Sequence, residues 1–231
     1  MDLLFHIDDQ PTSFAEGQTI LEAAKAAGVY IPHLCHHPEF GAHGSCKLCT
    51  IVVNGRTGSA CTLKAAVGQE IEVDTPELNA LRRTLVQMLF VEGNHFCPGC
   101  EKSGNCQLQA LAYEFEMMTP HFVHFFPDLG VDASHPDALI DRNRCIQCEL
   151  CVRASRDADG KEVFALAGRG IESKLIVNSP TGLLADSAFA ATDRAAHVCP
   201  VGAILLKRVG FSQPIGEREF DLAPISAEAA R

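Results

Sequence analysis

An α+β protein is predicted from three observations. Strand-like and helix-like segments alternate over the first 75 residues, two stretches of helical spacing follow, and eleven cysteines fall into three groups in the segments that connect these elements. At 231 residues the chain is long enough for one large domain or two to three small ones. Apolar residues make up 47% and charged residues 21%, the balance of a globular chain. A formal net charge of −10 excludes a nucleic-acid footprint, which needs a basic face, and suits docking against a basic patch on a partner. The start, Met1-Asp2-Leu3-Leu4-Phe5-His6-Ile7-Asp8-Asp9, is acidic where a secretory signal is basic. No run approaches the roughly 20 apolar residues that cross a bilayer, so no membrane insertion and a cytoplasmic location are expected.

Each element has a local cause. Leu3-Leu4-Phe5-His6-Ile7 suits a first strand. Thr19-x-x-Glu22 is a capping box at the head of a helix over Ile20–Ala27, with Gly28 at its C-terminal side. A loop rich in His, Gly and Cys runs from Pro32 to Cys49. Thr50-Ile51-Val52-Val53 is a strand, Asn54-Gly55 a tight-turn signal, and Glu70-Ile71-Glu72-Val73 a last strand. Strand, helix, Cys-bearing loop and strands is the order of a β-grasp ferredoxin. Thr75-Pro76 then caps a helix to about Phe90, with Leu78, Leu81, Leu85 and Met88 as its core stripe and Arg82, Arg83 and Gln87 away from it. After Cys106 a second helix carries the stripe Leu108, Leu111, Ala112 and Phe115. Residues 119–144 read as a connector. Val163–Leu166 and Leu175–Val177 look like strands, and a helix over Ala188–Ala196 leads to Cys199-Pro200. The tail from Ser212 has weak periodicity and reads as a docking or flexible end.

An odd number of cysteines in a chain without an export signal speaks against a disulfide framework and for metal ligation. The first group, Cys35-x10-Cys46-x2-Cys49-x11-Cys61, supplies four thiolates inside one small β-rich unit, enough for a [2Fe–2S] cluster. Gly41, Gly44 and Ser45 let the backbone approach bridging sulfides. A zinc site of four thiolates is the alternative, but zinc sites use two close pairs and here only one pair is close. His33, His36, His37 and His43 crowd this loop and read as surface or supporting residues.

The second group, Cys97-x2-Cys100-x5-Cys106, has three thiolates, and His95 supplies a fourth donor for a [4Fe–4S] cluster; His95 as a supporting hydrogen-bond donor, or zinc on Cys3His, are the alternatives. The third group, Cys145-x2-Cys148-x2-Cys151 with the remote Cys199-Pro200, wraps and closes a second [4Fe–4S] cluster, with zinc again the alternative. Four plus three plus four uses all eleven cysteines and predicts about ten iron atoms. No thiol is left as a nucleophile. There is no Gly-x-Gly-x-x-Gly fingerprint, Walker A loop or nucleophile elbow, so no catalytic residue and no complete NAD or flavin site is expected on this chain.

This order of sites resembles the N-terminal part of the large iron–sulfur subunit of respiratory NADH dehydrogenase, a module shared with iron-only hydrogenases and some NAD-dependent formate dehydrogenases. Residues 1–210 look most like the family of small diaphorase subunits of soluble NAD-reducing nickel–iron hydrogenases. The stretch Asn94-His95-Phe96-Cys97-Pro98-Gly99-Cys100-Glu101-Lys102-Ser103-Gly104 carries that branch. In the respiratory and iron-only enzymes the histidine lies four residues before its first cysteine, a position held here by Gly93. The sequence ending soon after Cys199-Pro200 is read as favouring a dedicated diaphorase subunit.

The resemblance implies a [2Fe–2S] ferredoxin-like domain over 1–76, a helical [4Fe–4S] segment over 77–118, a ferredoxin-like [4Fe–4S] domain over 119–210 and a docking or flexible tail over 211–231. It also implies a non-catalytic electron-transfer subunit of an NAD-dependent hydrogen dehydrogenase complex. The partners would be a flavoprotein subunit carrying FMN and the NAD site, and the small and large nickel–iron hydrogenase subunits. The Cys145–Cys199 site would face the hydrogenase, the His95 site the flavin, and the [2Fe–2S] site would be a side branch. Two other readings are the equivalent subunit of a formate dehydrogenase or respiratory-type complex, and a free-standing multi-cluster carrier or zinc scaffold.

Overall fold

A computed structural model describes residues 3–230, side chains 228–230 excepted. Strands β1 (Leu4–Ile7) and β2 (Gln10–Ser13) form a hairpin, and helix α1 (Ile20–Ala26) follows. Then come β3 (Thr50–Val53), β4 (Arg56–Ser59) and β5 (Glu70–Glu72), completing a sheet in the order β2-β1-β5-β3-β4. Only β1 and β5 run parallel. The capping box forms as the sequence predicts: Thr19 Oγ1 accepts from Glu22 N–H at 3.2 Å, and the Glu22 carboxylate accepts from Thr19 N–H at 2.7 Å. Asn54 and Gly55 both hold positive φ, the geometry that lets a two-residue turn match the twist of β3 and β4. Phe5, Ile7, Ile20, Leu21, Ala24, Ile51 and Ile71 close the core between α1 and the sheet.

Helix α2 (Pro76–Glu92) starts where Thr75 Oγ1 accepts from Leu78 N–H at 3.2 Å. Its buried face differs from the expected stripe. Leu78, Arg82, Val86, Gln87 and Val91 are buried, while Leu81 and Met88 are 40% and 43% exposed. The reason is Arg82, 2% exposed, whose guanidinium donates to the carbonyls of Val73 (2.7 Å), Thr50 (2.9 Å) and Leu48 (3.3 Å) and to Asn79 Oδ1 (2.9 Å). Four acceptors hold the helix by a polar residue, and its apolar stripe turns accordingly. Helix α3 (Gln107–Glu114) buries Leu108, Leu111 and Ala112, and Phe115 follows buried at its end, as their spacing predicts.

Beyond the connector, β6 (Val131–Asp132) and β7 (Ala138–Asp141) pair with β10 (Ile204–Leu206) in the order β10-β7-β6. Helix α4 (Leu150–Asp157) packs on the antiparallel pair β8 (Phe164–Ala167) and β9 (Lys174–Val177). The helix expected over Ala188–Ala196 is shorter. The Asp193 carboxylate accepts from Ala190 N–H at 2.8 Å and makes a turn there, so α5 spans only Arg194–His197. Asp159 caps α5, accepting from the N–H groups of Arg194 and Ala195. Short α6 (Glu219–Leu222) lies in the tail, which docks on this chain's own surface: Ile225 is buried against the core that holds α3. Among the described residues no helix is long and apolar enough to cross a membrane.

The first Cys loop joins these parts. Cys35 and Phe40 belong to the core of α4, β7, β8 and β9, whereas Leu34 and Leu48 belong to the core of α2 and α3. One loop is thus wedged into both neighbouring units, and the three Cys groups end up side by side.

Candidate iron–sulfur centres

The first four cysteines meet as two pairs. Cys49 Sγ lies 3.4 Å from Cys61 Sγ, and Cys35 hydrogen-bonds Cys46. The hydrogen bond from Cys46 holds the Cys35 thiol well below its ordinary range, to about 4, and the same contact with burial pushes Cys46 up. Cys49 rises through its bond to Cys61, and Cys61 falls. Four thiols gathered in two close pairs fit a two-iron centre, which takes two thiolates on each iron. His33 and His36 stack edge to face at 5.4 Å, and His33 Nδ1 meets the Ile31 carbonyl at 2.8 Å. His37 meets Arg194 at 3.1 Å and His43 meets Glu149 at 3.6 Å. The four histidines are thus each engaged outside the thiol set.

The second group surrounds a small cavity lined by His95, Cys97, Cys100 and Cys106 together with Ser103, Gln109, Arg144 and Gly202. His95 is half-buried, but its Nε2 atom is buried and has no hydrogen-bond partner. Burial, with the nearby Arg144 charge, pushes the imidazole down to about 4, while a hydrogen bond to the Leu89 carbonyl opposes that fall. With Nε2 unpartnered, that bond belongs to Nδ1–H. A neutral imidazole oriented by a backbone carbonyl and holding a bare lone pair is what a metal-ligating histidine requires. Gly93 makes room for it: a Cβ there would stand 2.6 Å from Nε2 and 2.8 Å from the Asn143 carbonyl. Burial raises Cys106 to about 12 and Cys97 above its ordinary value.

The third group lines another small cavity, with Cys145, Cys148, Cys151 and Cys199 framed by Leu166, Leu175, Val201 and Ile204. Gln147 and Glu149 take positive φ between the cysteines and curl the loop, and Gln147 N–H donates to Cys145 Sγ at 3.4 Å. Burial pushes Cys145 to about 11 and raises Cys148 and Cys151 further. Thiols so raised ionise only against a bound cation. In both of these groups the donors line a space. The donor sets fit clusters.

Three family models match in the same order: the 2Fe–2S iron–sulfur cluster binding domain over residues 2–76, the NADH-ubiquinone oxidoreductase-G iron–sulfur binding region over 82–121, and the 4Fe–4S single cluster domain over 139–206. The gamma subunit of the NAD-reducing hydrogenase HoxS of Cupriavidus necator is 40% identical over 230 residues, covering 99% of this chain and 97% of that one. The chain belongs to this gamma-subunit family. A crystal structure of an NAD+-reducing [NiFe]-hydrogenase in the H2-reduced state contains a chain 55% identical to it, with a TM-score of 0.95 and 98% of each chain covered. The mitochondrial NADH dehydrogenase [ubiquinone] iron–sulfur protein 1 of Solanum tuberosum is 28% identical over 214 residues, covering 89% of this chain, but this chain spans only 28% of its length. Membership of the gamma-subunit family carries iron–sulfur binding and an electron-transfer role within an oxidoreductase.

Sequence reasoning missed the residues that tie the groups together. Arg144 Nη1 reaches Cys100 Sγ at 3.5 Å and Glu101 at 3.0 Å, and its Nε reaches Asp141 at 2.8 Å. Gly202 backs the second site, since a Cβ there would meet Cys100 Sγ at 2.8 Å. Gln107 N–H donates to the Pro200 carbonyl at 2.9 Å. On the other side Arg153 donates to the carbonyls of Cys35 (2.6 Å) and Cys148 (3.1 Å). An arginine directly before Cys145 and a glycine three residues after Cys199 were the available signals; Arg153 gave none, since nothing in the residues around it marks a buried cation.

Proposed function

We propose that this chain is the iron–sulfur electron-transfer subunit of an NAD-reducing hydrogenase, without a catalytic residue of its own and acting in the cytoplasm. Its partners are a flavoprotein subunit carrying FMN and the NAD site, and the two nickel–iron hydrogenase subunits. The [2Fe–2S] cluster is assigned to Cys35, Cys46, Cys49 and Cys61. One [4Fe–4S] cluster is assigned to His95, Cys97, Cys100 and Cys106, and a second to Cys145, Cys148, Cys151 and Cys199. Domains over 1–76, 77–118 and 119–210 with a tail over 211–231 fit this reading. Bound clusters supply one-electron acceptance and release.

The observation that carries the reading is the contact chain between the ligand sets. The third set touches the first through Arg153 and the second through Arg144 and Gly202. That order favours the Cys145–Cys199 site as the middle of a relay whose ends are the [2Fe–2S] and His95 sites. The protein's own part is to fix these spacings with backbone and guanidinium contacts and to keep water from the buried ligands.

Anaerobic purification of the tagged chain with its bound partners tests this. Hydrogen-dependent NAD+ reduction, bound FMN and nickel, and about ten irons per chain are expected. Molybdenum or tungsten with formate-dependent activity would move the chain to the formate dehydrogenase class, and zinc in place of iron would end the electron-transfer reading.

A further inference from the structure

Arg153 is 6% exposed and its guanidinium meets only backbone carbonyls: Gly41 at 2.5 Å, Cys35 at 2.6 Å, Cys148 at 3.1 Å and Glu149 at 3.3 Å. No carboxylate among the described residues lies in ion-pair range of it. Glu149 turns its carboxylate to His43 at 3.6 Å, and Asp157, one turn along α4, is bound to Arg156 at 2.6 Å. Arg194, which with Arg153 acts on His37, is neutralised by Glu39 at 2.8 Å. A buried cation without a counter-charge is costly, and carbonyl dipoles alone do not supply the missing charge. Two of the four carbonyls belong to ligand residues of different sets, Cys35 of the first and Cys148 of the third. Both sets are all-cysteine, so each cluster they hold carries net negative charge.

Resting on the cluster assignment above, we propose that Arg153 is the shared counter-charge of the [2Fe–2S] and Cys145–Cys199 centres. It is a positioning residue that holds the two ligand loops together and raises the reduction potentials of both centres in parallel. The His95 centre lies outside its reach and has its own cation, Arg144, at Cys100 Sγ. A buried positive charge favours the more negative, reduced form of whichever centre it faces. Because one guanidinium serves two centres, their potentials are coupled: any change at Arg153 moves both in the same direction.

The test is an EPR redox titration of the purified complex carrying Arg153→Gln or Arg153→Lys. Gln keeps donors and removes charge, while Lys keeps charge and removes the fork. In Arg153→Gln both centres are expected to become harder to reduce, by about tenfold in reduced-to-oxidised ratio at fixed potential, about 59 mV for a one-electron couple. The His95 centre should not move, and Lys should restore most of the shift. If Gln prevents both centres from assembling while Lys restores them, the counter-charge is equally supported. Unchanged midpoints in an assembled Gln variant, or failure of Lys to restore lost centres, would overturn the proposal. Absence of the signals from the unmodified complex would instead overturn the cluster assignment.

Discussion

The imidazole of His95 is held at one nitrogen and left open at the other. Its orientation comes from the Leu89 carbonyl and its burial from the walls around the Cys100 cavity. Two substitutions separate ligation from support. His95→Ala is expected to lose the second centre, as Cys100→Ala does, reading iron content and EPR together; retention of the spectrum in His95→Ala alone would make His95 a supporting donor. Gly93→Ala acts without touching the donors. Gly93 has φ −128°, which any residue adopts, so its cost is purely steric, about 1–3 kcal/mol of overpacking as the imidazole is pushed aside. An altered spectrum of the second centre with a lowered melting temperature is the expected result, and a wild-type spectrum would show that His95 does not need that space. That the cysteines and His95 gather into three groups was legible in the sequence, because ligand chemistry restricts residue type and spacing. Gly93 was legible only as a departure from a pattern; its reason is a three-dimensional contact.

At the scale of elements, the polar residues that hold helices and strands together are the ones the sequence hides. Arg82 lies off the apolar stripe of α2, and periodicity puts it in solvent, yet it pins α2 to the backbone on either side of Cys49. Arg82→Leu would strand three carbonyls, those of Leu48, Thr50 and Val73, at a cost of about 3 kcal/mol or more. The measured quantity is the unfolding free energy in denaturant; a loss under about 1 kcal/mol would mean that the site relaxes or takes up water. Asp132 has a similar part at the edge of β6. It accepts from Leu184 N–H at 2.8 Å and Ser134 Oγ at 2.6 Å. Burial alone would raise its carboxyl, but these bonds and the Arg142 charge prevail and hold it below the ordinary value. A depressed folded-state value gives stability that is full above the unfolded-state value and lost as the pH falls through the folded one. Asp132→Asn should therefore destabilise at pH 7 and cost progressively less below about pH 4. Acid-pulse unfolding rates of the two proteins check this, and a gap that widens with acid would refute it. Strands β2 and β4 escaped the sequence reading because Gln10–Ser13 and Arg56–Ser59 lack apolar alternation and are placed by their partners, whereas β6 and β7 lie in the stretch 119–144 read as a connector and β10 is only three residues long. The capping box of α1 was legible because its hydrogen bonds are local.

Across the whole molecule, residues 218–226 close over the second Cys loop. Glu219 N–H donates to Asn105 Oδ1 at 2.8 Å, Phe220 N–H to the Gly104 carbonyl at 2.9 Å, and Arg218 Nη1 to the Ser103 carbonyl at 3.3 Å. Gly104 is fitted to this clasp, with φ +81° and a Cβ position that Arg218 would overlap. Ile225 seals the core beneath α3, where Ser226 meets Glu114 at 3.1 Å. The three hydrogen bonds of residues 218–220 fall on the loop between Cys100 and Cys106, so their loss should weigh on that site first. Truncation after Gly216 is expected to open the second site to solvent and oxygen while sparing the first and third. Iron would fall from about ten toward about six per chain, with the [2Fe–2S] signal retained. Reinstating only residues 217–222 should recover part of the loss, because that span carries all three contacts to the loop but not Ile225. Equal loss from all three centres would mean that the tail stabilises the chain as a whole and not the Cys100 loop in particular.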